Sequence, residues 1–290
     1  MWYQLKIEYC PSPSIEEVNE LLENTGALSV MLTDKNDDPV LEPEPGATPL
    51  WPEVIIQALY PQATEAQRAR ALLQDSYPMV LCSMEILPDK DWERVWMDDF
   101  KPQRFGRNLW VCPTNSTPPE PLAVNLMLDP GLAFGTGSHG TTSLCLTWLD
   151  KTDLDKKSLI DYGCGSGILA LAALKLGAQP VFAVDIDPQA LQATQNNAST
   201  NNIPLNQLQI DSPEALKTPV DILIANILLG PLVSLKARFK ALLHSGGVLV
   251  VSGILESQAA ELIESYQPDF KLITQERREG WSLLEFQKVS

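Results

Sequence analysis

The sequence predicts an α/β protein in two parts, a Rossmann-like seven-stranded domain preceded by a smaller α+β domain, and three observations predict it. Through the second half, short apolar strands alternate with helical stretches at the spacing of a mostly parallel sheet covered on both faces. The first half runs strand, helix, strand, strand, helix, strand instead. A glycine-rich turn, Asp161-Tyr162-Gly163-Cys164-Gly165-Ser166-Gly167, joins the first strand of the second half to the helix that follows. A length of 290 residues suits two domains of ordinary size.

The elements follow in order. Trp2 to Tyr9 alternates, with Tyr3, Leu5, Ile7 and Tyr9 on one side. Ser14 caps a helix that carries Ile15, Val18, Leu21 and Leu22 on one face, and Gly26 ends it. Leu28–Thr33 is the next strand, and after a proline-rich loop Glu53–Tyr60 is the third. Thr64 caps a helix to about Ser76, and Val80–Leu87 closes the set. This order is the ferredoxin-like split arrangement, two helices against one antiparallel sheet. No cluster of nucleophile, base and metal ligands stands out in it, so recognition or scaffolding is the expected role. The run from Cys112 to Pro121 holds four prolines, which lack a backbone donor and fix φ. The expected division is therefore residues 1–90, a linking region 91–121, and a second domain 122–290.

In the second domain the expected strands are Ser158–Gly163, Val181–Asp187, Leu208–Ile210, Asp221–Asn226 and Val248–Gly253. Helices are expected over Ile168–Leu176, Pro188–Thr200, Pro231–Leu243 and Glu256–Tyr266. Lys271–Glu276 and Trp281–Lys288 read as an antiparallel hairpin that closes the sheet. Ligands in such sheets bind at the carboxyl ends of the strands, near the switch point.

Charge narrows the chemistry. The chain carries −16, with −11 in positions 1–120 and −5 in the remainder. So acidic a protein is a poor binder of nucleic-acid backbone and a good partner for something basic. The longest uninterrupted apolar run, Ile168–Leu174, is far short of the roughly 20 residues of a membrane span. No cleavable signal pattern opens the sequence, and five cysteines without a Cys-x-x-Cys pair read as reduced thiols in a cytoplasmic protein with neither disulfide scaffold nor zinc site.

The glycine turn lets a ligand touch backbone. Dinucleotide sites use Gly-x-Gly-x-x-Gly with pyrophosphate at the helix N-terminus, but the residue three after Gly165 is Ile168. The spacing is Asp-x-Gly-x-Gly-x-Gly, with a carboxylate at the strand end. That carboxylate repels a pyrophosphate and attracts a cofactor bearing an ammonium and a sulfonium, as S-adenosylmethionine does. A plain strand-to-helix turn is the alternative. Asp185 ends the next strand 22 residues on from Gly163, near the separation at which a carboxylate reaches a ribose diol. Both cofactor classes call for it, and a helix cap is its other reading, although Asp187-Pro188 is the better cap. Asn226 interrupts an apolar run where the fourth strand should end. It is either satisfied by local backbone or an amide at the cleft floor whose carbonyl oxygen can take a nitrogen nucleophile. Upstream, Asp129–Thr142 is glycine-rich and reads as a mobile loop running into a helix, with Thr141 or Thr142 near the cap and a hydroxyl free for a ligand. His139 invites a metal or general-base reading. The only other histidine is the distant His244, so a structural role is the stronger reading. Cys164 is a small residue in a tight turn.

These stretches together resemble the ribosomal protein L11 methyltransferases. The resemblance rests on Leu128–Thr142, Leu159–Gly167, Val184–Pro188, Ala225–Pro231 and Gly246–Ile254, with Trp92–Trp96 and Phe100-Lys101-Pro102 similar to that family's interdomain region. The glycine motif alone says methyltransferase, and the loop Gly131–Thr142 narrows it to this family and its near relatives. The resemblance implies S-adenosyl-L-methionine as cofactor, contacts to it from Thr142, Gly163, Asp185 and Asn226, and an N-terminal substrate-recognition domain. It implies N-methylation of the α-amine and lysine side chains of ribosomal protein L11; the Asn226 side chain or nearby backbone carbonyls are expected to hold the amine. No metal, membrane or direct nucleic-acid partner is expected, and the chain is expected to act as a monomer. Three rivals remain. A base-amine methyltransferase favours an aromatic after the Asn, where this chain has Ile227-Leu228-Leu229. A non-catalytic assembly factor and a nicotinamide oxidoreductase are the others.

Overall fold

The computed structural model describes residues 1–8, 14–36, 50–88, 101–128, 139–204 and 206–289. The chain divides into two compact units, Met1–Val95 and Trp96–Ser290.

The first unit holds β1 (Trp2–Glu8), α1 (Ile15–Asn24), β2 (Ser29–Asp34), β3 (Val54–Tyr60), α2 (Ala63–Ser76) and β4 (Leu81–Leu87). Its four strands lie in the order β2-β3-β1-β4, and every neighbour pair is antiparallel. Ser14 begins α1 through a reciprocal cap: its hydroxyl accepts from Glu17 N at 3.2 Å, and the Glu17 carboxylate accepts from Ser14 N at 3.0 Å. Val18 and Leu22 of α1 and Ala66, Ala69 and Leu73 of α2 bury against Leu5, Ile7, Ile56, Ala58 and Tyr60 of the sheet. Truncating Leu22 in that contact to alanine costs about 2–5 kcal/mol. Thr64 is not a cap: it lies inside the helix, whose cap position is Gln62, two residues earlier, and no side chain caps it.

The second unit begins with a sheet absent from the sequence reading. β5 (Gln103–Phe105), β6 (Leu109–Pro113) and β7 (Val124–Leu128) pair in that order, the first pair antiparallel and the second parallel. Of the region 91–121, expected as a linker, residues 101–121 are described; they contribute β5 and β6 and fall within the second unit. Pro113 is tolerated at the end of β6 because β5 reaches only to Gln103, opposite Val111, so no strand on that side needs its missing N–H. Phe105, Leu109, Val111, Leu126 and Leu128 join the main core. Two side chains far away in sequence hold these strands. Asn201 accepts from Met127 N at 2.8 Å and donates to Met127 O at 2.5 Å, and Asp150 accepts from Arg107 N and Asn108 N.

Then follow α3 (Gly140–Lys151), β8 (Leu159–Tyr162), α4 (Ile168–Lys175), β9 (Val181–Val184), α5 (Pro188–Thr200), β10 (Leu208–Asp211), β11 (Val220–Asn226), α6 (Leu229–Ser234), α7 (Lys236–Leu242), β12 (Leu243–Leu255), α8 (Ala259–Tyr266), β13 (Phe270–Arg278) and β14 (Trp281–Lys288). Seven strands form one mixed sheet in the order β10-β9-β8-β11-β12-β14-β13. The first five are mutually parallel, and β14 runs antiparallel to both its neighbours. The chain goes from β8 outward through β9 to β10, then crosses back to β11 on the other side of β8, which makes the carboxyl end of β8 the switch point. The helix expected over Pro231–Leu243 is two short helices that break at Leu235, where ψ is 0°. β12 is longer than expected because it begins at Leu243, and an irregularity in its pairing with β11 takes up residues 244–247 opposite Asp221.

Candidate functional site

The turn after β8 is built so that backbone lies at its surface. Gly163, Gly165 and Gly167 all have positive φ, at 80°, 54° and 79°. A Cβ on Gly163 would sit 2.5 Å from Ile227 Cγ2, and one on Gly167 2.7 Å from Thr194 Cγ2. Glycine is thus required twice, for conformation and for space. The turn is clamped from two sides. Gly163 N and Cys164 N donate to Val184 O at 2.8 and 3.0 Å. From α5, Thr194 Oγ1 donates to Gly165 O at 3.0 Å and Asn197 Nδ2 to Ser166 O at 2.9 Å.

Asp185 stands at the end of β9. Its Oδ2 accepts from Gly165 N and its Oδ1 from Asp187 N, each at 3.0 Å. It is not the helix cap. Asp187 caps α5 by accepting from Gln189 N at 2.9 Å, with Pro188 in the first turn. Asp185 ties the glycine turn to the neighbouring strand and keeps further lone pairs for a diol.

Asn226 ends β11, and its Nδ2 donates to Thr142 Oγ1 at 3.3 Å. The amide nitrogen is occupied across elements, which orients the carbonyl oxygen as an acceptor. Thr142 lies in the first turn of α3, whose cap is His139. His139 Nδ1 lies 2.7 Å from Thr141 Oγ1 and accepts from Thr141 N at 3.4 Å. Its side chain is thereby used as the helix cap. Its ring meets Trp281 edge-on, centroids 4.7 Å apart. The loop residues 129–138 lie outside the described residues.

The structure thus groups Gly163, Asp185 and Asn226 at the carboxyl ends of β8, β9 and β11, with Thr142 bonded to Asn226 from α3. It adds residues that sequence reasoning missed. Thr194 and Asn197 support the turn from behind; with Asn201, the C-cap of α5, they form a buried polar stripe, and that stripe was readable as polar residues at helical spacing. Trp281 and Arg278 come from the terminal hairpin, with Arg278 Nη1 donating to Ser143 Oγ; no local signal marks them. The Cys164 thiol, 3.4 Å from Thr194 Oγ1, is pushed well above its ordinary pKa by burial, which leaves it an inert small side chain. Among the described residues no group of three or more His, Cys, Asp or Glu side chains is placed to hold a metal ion.

Asp161, two residues before Gly163, is 1% exposed. Its Oδ2 accepts from Ala170 N at 2.9 Å, and its Oδ1 has no hydrogen-bond partner among the described residues. A glycine cradle, a diol-type carboxylate and an orphaned buried carboxyl oxygen fit S-adenosylmethionine, which brings a ribose and two cationic groups. A pyrophosphate would meet carboxylates there.

An α/β fold with this site defines an S-adenosylmethionine-dependent methyltransferase. The family model described as ribosomal protein L11 methyltransferase (PrmA) matches residues 1–289. The chain belongs to the ribosomal protein L11 methyltransferase family. It is 68% identical over 286 residues to the ribosomal protein L11 methyltransferase of Legionella pneumophila (strain Lens), which covers 99% of both chains. With the protein of the same name from Nitrosococcus oceani it shares 48% identity over 287 residues and 98% of each chain. Among solved structures, a ribosomal protein L11 methylase from Lactobacillus delbrueckii subsp. bulgaricus superposes with a TM-score of 0.60 at 30% identity, covering 66% of this chain and all of that one.

Proposed function

We propose that this protein transfers methyl groups from S-adenosylmethionine to amines of ribosomal protein L11, the N-terminal α-amine and lysine side chains. Gly163 and Asp185 would hold the cofactor, Thr142 and Asn226 would line the same pocket, and Asn226 would position the incoming amine. The bound cofactor supplies an electrophilic methyl. The chain's own part is geometric. The Asn226 carbonyl accepts an amine N–H and so aims the nitrogen lone pair along the line of displacement, and positioning of this kind supplies much of the acceleration. The amine arrives unprotonated, which is easier for an α-amine of pKa about 7.7–8.0 than for a lysine near 10.4. The observation that carries this reading is the Asn226–Thr142 hydrogen bond beside a turn that only glycine can form.

The first unit, with two helices on an antiparallel β2-β3-β1-β4 sheet, reads as a ferredoxin-like recognition domain. Its acidic balance suits a basic ribosomal protein, since complementary charge speeds encounter. The protein works as a monomer in the cytoplasm with neither nucleic acid nor membrane as partner. Mass spectrometry of unmodified L11 after incubation with protein and cofactor tests the activity. Added methyls on the α-amine and lysines are the expected result, and an unchanged mass in the presence of bound cofactor would leave only an assembly factor.

A further inference from the structure

Asp161 is a buried acid that the proposed positioning chemistry does not use. It sits on β8 between β9 and β11, opposite Ala183 and Ile224. One carboxyl oxygen takes the Ala170 N–H at the start of α4, and the other has no partner among the described residues. Among the described residues, the titratable groups that face it are Asp185 from the end of β9, Cys164 from the glycine turn and Cys145 from α3. Both thiols are raised by burial and by Asp161 itself, so they are neutral, and Asp185 adds a negative charge nearby. None of these groups is a cation. An ionised Asp161 would therefore be a fully buried anion with one hydrogen bond and a like-charged neighbour. Burial, and secondarily Asp185, push its pKa up to about 7.

We propose that Asp161 holds a proton in the empty protein and releases it to solvent when the methyl donor binds, so that cofactor binding and proton release are one coupled event. The inference rests on S-adenosylmethionine as the ligand. A cation arriving at the carboxyl end of β8 reverses the balance: the O–H bond of the carboxyl breaks, the proton goes to buffer, and the carboxylate faces a positive charge. Affinity then rises with pH below about 7, by up to tenfold per unit, because binding consumes the deprotonated form.

The test is calorimetric titration of the full chain with S-adenosylmethionine at about pH 6, where the ligand's α-ammonium is fully protonated, in buffers of different ionisation enthalpy. The expected heat varies linearly with that enthalpy and corresponds to nearly one proton released per chain. The dependence should shrink as pH is raised past 7 and vanish in Asp161→Asn. Heat of binding that is independent of buffer overturns the proposal, as does a dependence retained in Asp161→Asn. Absence of any binding heat overturns the cofactor reading instead. Should the variant fail to fold, infrared difference spectra of the unaltered protein still decide: a protonated-carboxyl band must disappear on addition of ligand.

Discussion

The side-chain amide of Asn226 donates to the Thr142 hydroxyl at 3.3 Å across 84 positions of sequence. The bond joins the end of β11 to the first turn of α3 and fixes which end of the amide is left to accept. Asn226→Ala removes that acceptor and should lower kcat by roughly 10²-fold, with cofactor affinity changed much less. Thr142→Val removes the bond that orients the amide and leaves the Asn226 carbonyl oxygen in place, so a smaller loss in kcat is expected. Single-turnover kinetics and calorimetry on both variants separate the effects. Equal losses of turnover and affinity in Asn226→Ala would assign the residue to the cofactor alone.

Gly163 faces a second, steric constraint. Alanine there clashes with Ile227 Cγ2 and must hold φ near 80°. Cofactor affinity should drop at least tenfold, with a stability cost of about 1–2 kcal/mol from the left-handed backbone alone. Adding Ile227→Ala relieves the clash and leaves the backbone strain. The double variant should recover part of the affinity and little of the thermal stability. Recovery of both would show that space, not conformation, was the reason for glycine.

How much of this was legible depends on range. The Ser14 cap, the Asp187-Pro188 helix start and the alternation of β8 to β12 with helices are local patterns, and they appear where the sequence places them. The sheet β5-β6-β7 was not legible because its support is remote: Asn201 grips Met127 from 74 positions away and Asp150 grips Arg107 from 43. Three short strands among prolines look like a linker until those partners are known. His139 is similar. Its side chain was open to a catalytic reading, and only the Thr141 N–H and the Trp281 ring turn it into a cap with a packing partner.

Asp161 also makes stability depend on pH. Its pKa of about 7 in the folded chain stands above an unfolded value near 3.9, so between these the folded state binds more protons. Its contribution is fully present below about pH 4 and is lost as pH rises through about 7. Asp161→Asn keeps an acceptor for Ala170 N and removes the titration. The ligand-free variant should gain thermal stability relative to the unaltered protein on moving from pH 5 to pH 8. A difference in Tm that is the same at both pH values means that Asp161 is ionised, or protonated, throughout.

Recognition and catalysis separate if the cut respects the second unit. A fragment that begins at residue 115 loses Phe105, Leu109 and Val111 from the core and leaves β7 without a partner strand, so it should not fold cooperatively. A fragment of 96–290 keeps the three-stranded sheet and its grips from Asp150 and Asn201. It should bind S-adenosylmethionine with near-native affinity and fail to methylate L11. Circular dichroism, calorimetry and mass spectrometry on the two fragments check each step. Full methylation by 96–290 would remove the recognition role from the first unit, because the acidic domain could then contribute neither encounter nor docking that the reaction needs.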